Sequence, residues 1–264
     1  MRILFLADVV GKPGRAAIER LVPDMRREEG LDLVVANGEN AARGLGITPR
    51  LARGLLRAGV DVLTSGNHLF RHREIVDFIK ERDVLLRPHN WRTRAPGKGW
   101  VVAETEEGQR VGILNLCGQQ YMEPTDDPVA AAEEILSGPL ADIAVRVLDF
   151  HAEATGEKRG LFKYLDGRVS LMAGTHTHVQ TADEQISPRG TAYITDAGIT
   201  GPVDGVIGME PECAIQTIRT GLPQRYAPAS GASALQGVIV EVEHASGRAT
   251  GIERVDRRID DDAA

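Results

Sequence analysis

The sequence predicts an α/β protein built around a parallel sheet, and three observations carry that expectation. Short apolar runs at residues 3–7, 33–36 and 60–65 have the length and composition of strands buried on both faces. Amphipathic helical patterns separate them, and a βαβαβα order calls for parallel strands with right-handed crossovers. The chain has 264 residues, 42% of them hydrophobic and 26% charged, which is the balance of a soluble globular protein. A chain of that size buries a core without disulfide support. No repeat, low-complexity tract or linker interrupts it, so one domain is expected over residues 1–264.

Each element follows from local pattern. After the first strand, Ile18, Leu21, Val22 and Met25 recur at i, i+3, i+4 and i+7 and make a helix with one apolar face. Pro23 falls inside it and is expected to kink or divide it. Thr48 and Pro49 read as N-cap and first helical residue, Leu51, Leu55 and Ala58 as the apolar stripe, and Gly59 as the stop. Ile75, Phe78 and Ile79 mark a third helix near residues 73–81. Runs at 100–103 and 111–116 flank Glu106-Glu107-Gly108 and predict a hairpin. A helix at 128–136, a strand at 143–150, a short helix at 160–165 and a strand at 169–173 follow. Residues 192–195 are a weak strand, and the glycine-rich stretch through Gly208 reads as loop. A second hairpin, 238–243 with 251–255, turns at Ser246-Gly247, and residues 260–264 form a polar tail.

Composition narrows the class of partner. Lys and Arg total 31 against 38 Asp and Glu, a net charge of −7, which disfavours stable binding of duplex nucleic acid. The two cysteines, Cys117 and Cys213, lack metal-binding spacing and are expected as reduced thiols. The first apolar run ends at Asp8, too short for a secretion signal, and no run reaches membrane-spanning length. The expected compartment is the cytoplasm, and an even-numbered homo-oligomer is expected from general frequency.

Function is written at the strand ends. Asp8 follows the first strand, Glu39 and Asn40 the second, and Asn67 and His68 the third. His151 ends the 143–150 strand, and Gly174-Thr175-His176-Thr177-His178 ends the next. In open α/β sheets the carboxyl ends of the strands form the ligand crevice, so these groups are expected to converge. Carboxylates, amide oxygens and three imidazoles are more donors than one ion uses, and they suit two ions sharing a bridging carboxylate. Mixed nitrogen and oxygen donors favour Fe, Mn or Zn over Mg or Ca. Two such ions clamp the attacking and leaving oxygens of an in-line phosphoryl displacement, so phosphorus chemistry is expected.

With these residues assembled, the sequence resembles the calcineurin-like metallophosphoesterases and, among them, the YmdB-type bacterial phosphodiesterases. The resemblance rests on Leu6-Ala7-Asp8-Val9-Val10-Gly11, Asn37-Gly38-Glu39-Asn40-Ala41, Ser65-Gly66-Asn67-His68, His151, residues 174–178, and Thr195-Asp196-Ala197-Gly198 with the four residues after it. It implies a sandwich of two facing mixed β-sheets flanked by helices, in αββα layers. It also implies a dinuclear centre, with iron as the leading metal and Mn or Zn as alternatives. The implied reaction is hydrolysis of small phosphodiesters, with 2′,3′-cyclic nucleotides as leading substrates, by in-line attack of hydroxide. The resemblance assigns Asp8, Asn40 and His178 to one ion and Asn67, His151 and His176 to the other, with Glu39 bridging. His68 is implied to contact the phosphate and protonate the leaving oxygen.

Three departures from the wider superfamily stand out. Val10 replaces a ligand histidine, Glu39 an aspartate, and Leu69 the acidic residue that orients the active-site imidazole. A covalent phosphatase using Asp8 needs a second carboxylate where Val10 stands. A phosphate loop at Gly11-Lys12-Pro13-Gly14 lacks the spacing and loses a backbone donor at Pro13. A nucleotide- or RNA-end-binding regulatory protein with slow turnover, and a phosphomonoesterase, use the same ligands and remain alternatives. The loops at 43–47, 87–98 and 198–209 are the expected determinants of substrate choice.

Overall fold

Two mixed β-sheets lie face to face in the computed structural model of the chain, which describes residues 1–92 and 95–259. In chain order, the first third comprises β1 (Arg2–Leu6), β2 (Asp8–Val9), α1 (Gly11–Glu28), β3 (Leu33–Asn37), α2 (Pro49–Arg57), β4 (Val62–Thr64) and α3 (Ile75–Glu81). The middle comprises β5 (Trp100–Glu104), β6 (Arg110–Cys117), α4 (Pro128–Ser137), β7 (Val145–His151), α5 (Thr155–Tyr164) and β8 (Leu171–Thr175). Then come β9 (Gln185–Ile186), β10 (Ala192–Ile194), β11 (Ile199–Pro202), α6 (Pro211–Thr220), β12 (Ser233–Val242) and β13 (Ala249–Ile259).

Strand alternation sorts the core into layers. Ile3 and Phe5 of β1, Leu33 and Val35 of β3, and Val62 of β4 point inward. There they meet Val111, Ile113, Val145, Val147, Leu171 and Ala173 of the opposite sheet. The intervening residues Leu4, Leu6, Val34, Ala36 and Leu63 face outward against α1, α2 and α3. Leu114, Leu116, Leu148, Phe150 and Met172 likewise face α4 and α5. Both faces of each central strand are therefore covered, which is why those strands read as unbroken apolar runs. Each such side chain taken fully out of water contributes about 1.5–3 kcal/mol. The αββα sandwich is thus present.

The expected parallel order holds for β1, β3 and β4, and for β6, β7, β8 and β10. Antiparallel partners complete each sheet: β12 beside β1, β5 beside β6 and β9 beside β10. Both expected hairpins form, β5–β6 and β12–β13. Thr48 caps α2 by accepting from the Leu51 N–H.

Two expectations fail. Pro23, expected to kink or divide α1, does not divide it: the helix runs through it from Gly11 to Glu28. Pro23 and Glu19, whose carbonyl loses its helical partner, are both exposed, so that loss falls on the solvent-facing side of the helix. Ile18, Val22 and Met25 bury the opposite face and hold the helix together. The stretch expected as loop through Gly208 contains β11, which pairs with β2 on one side and β12 on the other. It packs so closely under α1 that a Cβ on Gly14 would lie 2.1 Å from the Thr200 carbonyl oxygen. The expected polar tail, residues 260–264, and positions 93 and 94 of the 87–98 loop lie outside the described residues. Both cysteines are free thiols. No described helix is long and apolar enough to cross a membrane.

Candidate metal centre

The carboxyl ends of β1, β3, β4, β7 and β8 meet at one edge of the sandwich, and the predicted residues converge there. Asp8, Glu39 and His151 are fully buried and Asn40 is 1% exposed. The turn after β3 is set by Asn37, whose Oδ1 accepts from the Glu39 N–H at 3.1 Å and so aims Glu39 across the gap. Gly66 is required after β4: a Cβ there would sit 2.2 Å from the His151 ring and 2.4 Å from Glu39 Oε2. His176 and His178 adopt left-handed backbone conformations, with φ of 98° and 61°. Such conformations cost side chains other than glycine roughly 1–3 kcal/mol each and cluster at functional sites.

Each imidazole is fixed by one nitrogen and presents the other. His151 Nδ1 lies 2.9 Å from Thr175 Oγ1, whose own proton goes to Asp149 Oδ1 at 2.7 Å. His178 Nδ1 donates to the Ile207 carbonyl at 2.9 Å, and His176 Nε2 lies 3.2 Å from Glu153 Oε2. This leaves His151 Nε2, His176 Nδ1 and His178 Nε2 facing the site. An outer partner that sets the tautomer and aims the ring is the usual setting of a metal-binding histidine. His151 Nε2 is 3.1 Å from each of three electron-rich atoms: Asn67 Oδ1, Glu39 Oε1 and His176 Nδ1. One ring nitrogen carries at most one proton, so this gathering of lone pairs fits a cation at its centre. Glu39, His151 and His176 offer ligand atoms within 4.8 Å of one another.

The second group is Asp8, Asn40 and His178. His178 Nε2 lies 3.6 Å from Asp8 Oδ1 and 3.1 Å from Asn40 Nδ2, while Asn40 Oδ1 lies 2.9 Å from His68 Nδ1. The Glu39 carboxylate stands between the groups, with Oε1 toward His151 and Oε2 accepting from the His68 N–H at 3.0 Å. Asn67 and His68 point apart, Asn67 toward His151 and His68 toward Asn40. Leu69, where an orienting acid was missing, is packed into the core under α2 and α3, and Asn40 holds the His68 ring instead.

Electrostatics follow this crowding. Burial opposes charge on Asp8, but His178 and His151 outweigh it and hold its pKa below the ordinary value. Burial likewise opposes charge on Glu39, and His151 and His68 hold it well below. Burial resists protonation of His151 and His178, yet Glu39 and Asp8 respectively lift each to about 9. His176 is pushed down to about 4 by burial and by His151.

Sequence reading missed the supports. Asp149 accepts from Thr64, Thr175 and Asn37, and burial lifts its pKa to about 7 against His151 and these donors. A carboxylate inside a doubly buried strand run was the available signal. Lys158 is 1% exposed; its Nζ donates to the Thr175 carbonyl at 2.9 Å and to Asp196 Oδ2 at 2.8 Å. Asp196 Oδ2 also accepts from the Thr177 N–H and hydroxyl, clamping the turn that carries both histidines. Nothing in the local pattern of α5 marks Lys158 as buried.

Known proteins resemble this chain over nearly its whole length. A 2′,3′-cyclic-nucleotide 2′-phosphodiesterase of Bacillus subtilis (strain 168) is 43% identical over 255 residues, covering 97% of this chain and 96% of the relative. The crystal structure of a hypothetical protein from Thermus thermophilus matches with a TM-score of 0.92 and 39% identity, over 98% of this chain and 99% of that one. A structure described as a novel phosphatase of Mycoplasma pneumoniae also matches with a TM-score of 0.92, at 33% identity, over 99% and 94% of the two chains. The model of the YmdB-like protein family matches residues 4–255, and with that span and those relatives the chain belongs to the YmdB-like family.

Proposed function

We propose that this protein is a dinuclear metal-dependent phosphodiesterase that hydrolyses 2′,3′-cyclic nucleotides and related small phosphodiesters. The observation that carries the reading is the set of three outward-anchored imidazoles presenting free nitrogens to Glu39, Asp8 and Asn67. In this reading Asp8, Asn40 and His178 hold one ion, Asn67, His151 and His176 hold the other, and Glu39 serves both. Iron is the proposed native metal, with Mn or Zn able to replace it. The ions supply Lewis acidity toward the phosphoryl oxygens and lower the pKa of water.

The chain's own residues do the rest. An amide offers oxygen and nitrogen in equivalent positions, so Asn40 can turn Oδ1 toward Asp8 and His178 while Nδ2 faces His68 Nδ1. His68 then carries its proton on Nε2, the atom that protonates the leaving 2′ oxygen. The Glu39 carboxylate, which accepts the His68 backbone N–H, keeps that ring beside the cluster.

The test is elemental analysis and product analysis of wild type and Glu39→Ala after expression under several metal supplies. Wild type should hold close to two ions and open 2′,3′-cyclic adenosine monophosphate to the 3′-phosphate, and Glu39→Ala should lose activity and both ions. A single ion in wild type under every supply overturns the dinuclear reading. Turnover of phosphomonoesters alone overturns the substrate.

A further inference from the structure

A cavity of about 760 Å³ opens beside the first turns of α1, between that helix and residues 225–233. Its charged lining is Lys12, Arg15, Arg20, Arg43 and Arg225, with no carboxylate among the described lining residues. In a chain of net charge −7, this gathers cations where chance would mix the signs. The nearby carboxylates stand behind that lining: Glu210 accepts from the Ser230 N–H and Asp204 from the Ala232 N–H, while Glu19 acts on Arg15 from the same helix. The side chains of Lys12, Arg43 and Arg225 have no hydrogen bond or ion pair among the described residues. Lys12, Arg15 and Arg20 share one side of α1, a row spanning roughly 12 Å at helical rise. That row is longer than one phosphate needs.

The cavity also adjoins the metal centre through the chain itself. Lys12 lies four residues beyond Asp8, and Arg43 three beyond Asn40. The Asn40 carbonyl accepts from both the Gly11 and Gly44 N–H groups at 3.0 Å, and the Arg15 guanidinium donates to the Ala41 carbonyl. The rest of the lining is mostly apolar, with Pro13, Ala227 and Pro228 beside Ser230 and Ser233, and Tyr226 there is 40% exposed. Cations tracking a backbone beside surfaces that stack bases, with few groups to read base edges, are the make-up of a sequence-tolerant single-strand site.

A 2′,3′-cyclic mononucleotide has one phosphate, and the metals take it. Nothing of such a substrate is left for Lys12, Arg43 and Arg225. Resting on the phosphodiesterase reading above, we propose that the cavity is the subsite for upstream phosphates of a short oligoribonucleotide ending in a 2′,3′-cyclic phosphate. Such ends are the products of RNA cleavage by attack of the 2′ hydroxyl, the class of reaction that would supply this substrate.

The test compares wild type with the combined Lys12→Gln, Arg43→Gln, Arg225→Gln variant, both metal-loaded. Substrates are a 2′,3′-cyclic mononucleotide and a tetranucleotide with the same end. Wild type should favour the tetranucleotide through a KM lower by about tenfold or more, steeply salt-dependent. The variant should lose that preference, and its log–log salt slope should fall by about 2, at roughly 0.7 per phosphate contact on a single strand. Its kcat/KM for the mononucleotide should stay within about twofold of wild type. An unchanged tetranucleotide preference in the variant, or equal loss on both substrates, overturns the proposal. So does a free nucleoside diphosphate that binds wild type and not the variant while the tetranucleotide gains nothing over the mononucleotide. If wild type hydrolyses neither substrate, the phosphodiesterase reading fails. Affinity of the two proteins for a labelled tetranucleotide 3′-phosphate, read by anisotropy, then decides the cavity separately.

Discussion

His68 stands where two kinds of evidence can be separated by one substitution. Its Nδ1 lies 2.9 Å from Asn40 Oδ1 and 3.3 Å from Glu39 Oε1, and in the proposed assignment it holds no ion. His68→Asn should keep metal content near wild type and slow hydrolysis of esters with poor leaving groups by about 10²–10⁴-fold. A nitrophenyl ester, whose leaving group hardly needs a proton, should lose far less. Metal lost in proportion to activity would make His68 a ligand instead. The ligand imidazoles carry a pH prediction. In the ion-free protein His151 and His178 are held protonated up to about 9, and a metal takes only the neutral ring. Binding must displace those protons, so apparent metal affinity should rise with pH and level off near 9. Calorimetry in buffers of different ionisation enthalpy should read the released protons at pH 7; a pH-independent affinity across 6–8 would contradict the assignment. The residues that converge here were legible because each ends or closely follows a strand. The roles of Asp149, Lys158 and Asp196 were not, since they depend on which buried side chains face them across the fold.

At the scale of elements, the buried pair of Lys158 on α5 and Asp196 before β11 ties a helix to the turn after β8. Breaking a buried pair by removing one partner costs about 3–5 kcal/mol, because the other charge stays unpaired. Lys158→Met should therefore lower stability by that amount in denaturant titration. It should also weaken metal retention at His176 and His178, whose left-handed backbone the pair helps to hold. Asp196→Asn, which keeps an acceptor for the Thr177 N–H, should lose less of the metal. Equal metal affinity in Lys158→Met and wild type would leave the pair with stability alone. Elements whose partners are near in sequence were legible, such as α2 with its Thr48 cap and the β5–β6 hairpin. β11 was not, because a four-residue strand rich in glycine and proline is defined by its neighbours β2 and β12 and not by its own pattern. Pro23 misled for a related reason: burial of one face outweighed a local breaker.

For the whole molecule, the facing of the two sheets could not be read from periodicity, which gives each strand two buried faces without naming what covers them. Only the family resemblance implied the sandwich. The long-range pairings confirm why: Arg2 of β1 lies beside Glu241 of β12. The seam between the sheets is also where the proposed ion ligands divide. Asp8, Glu39, Asn40 and Asn67 follow strands of one sheet, while His151, His176 and His178 end strands of the other. In the proposed assignment, ions bound across that seam would favour the closed sandwich, by about 2.7 kcal/mol at a free concentration one hundred times Kd. Chelation should lower Tm in proportion, and an unchanged Tm would place the ions elsewhere. The division has a chemical edge as well. One layer brings only oxygen donors, a set at home with hard ions such as Mg²⁺ or Ca²⁺, and the other only imidazoles. Neither half distinguishes the metal that the two make together. In that assignment selectivity is a property of closure, and a chain whose layers have not yet met is blind to which ion it holds.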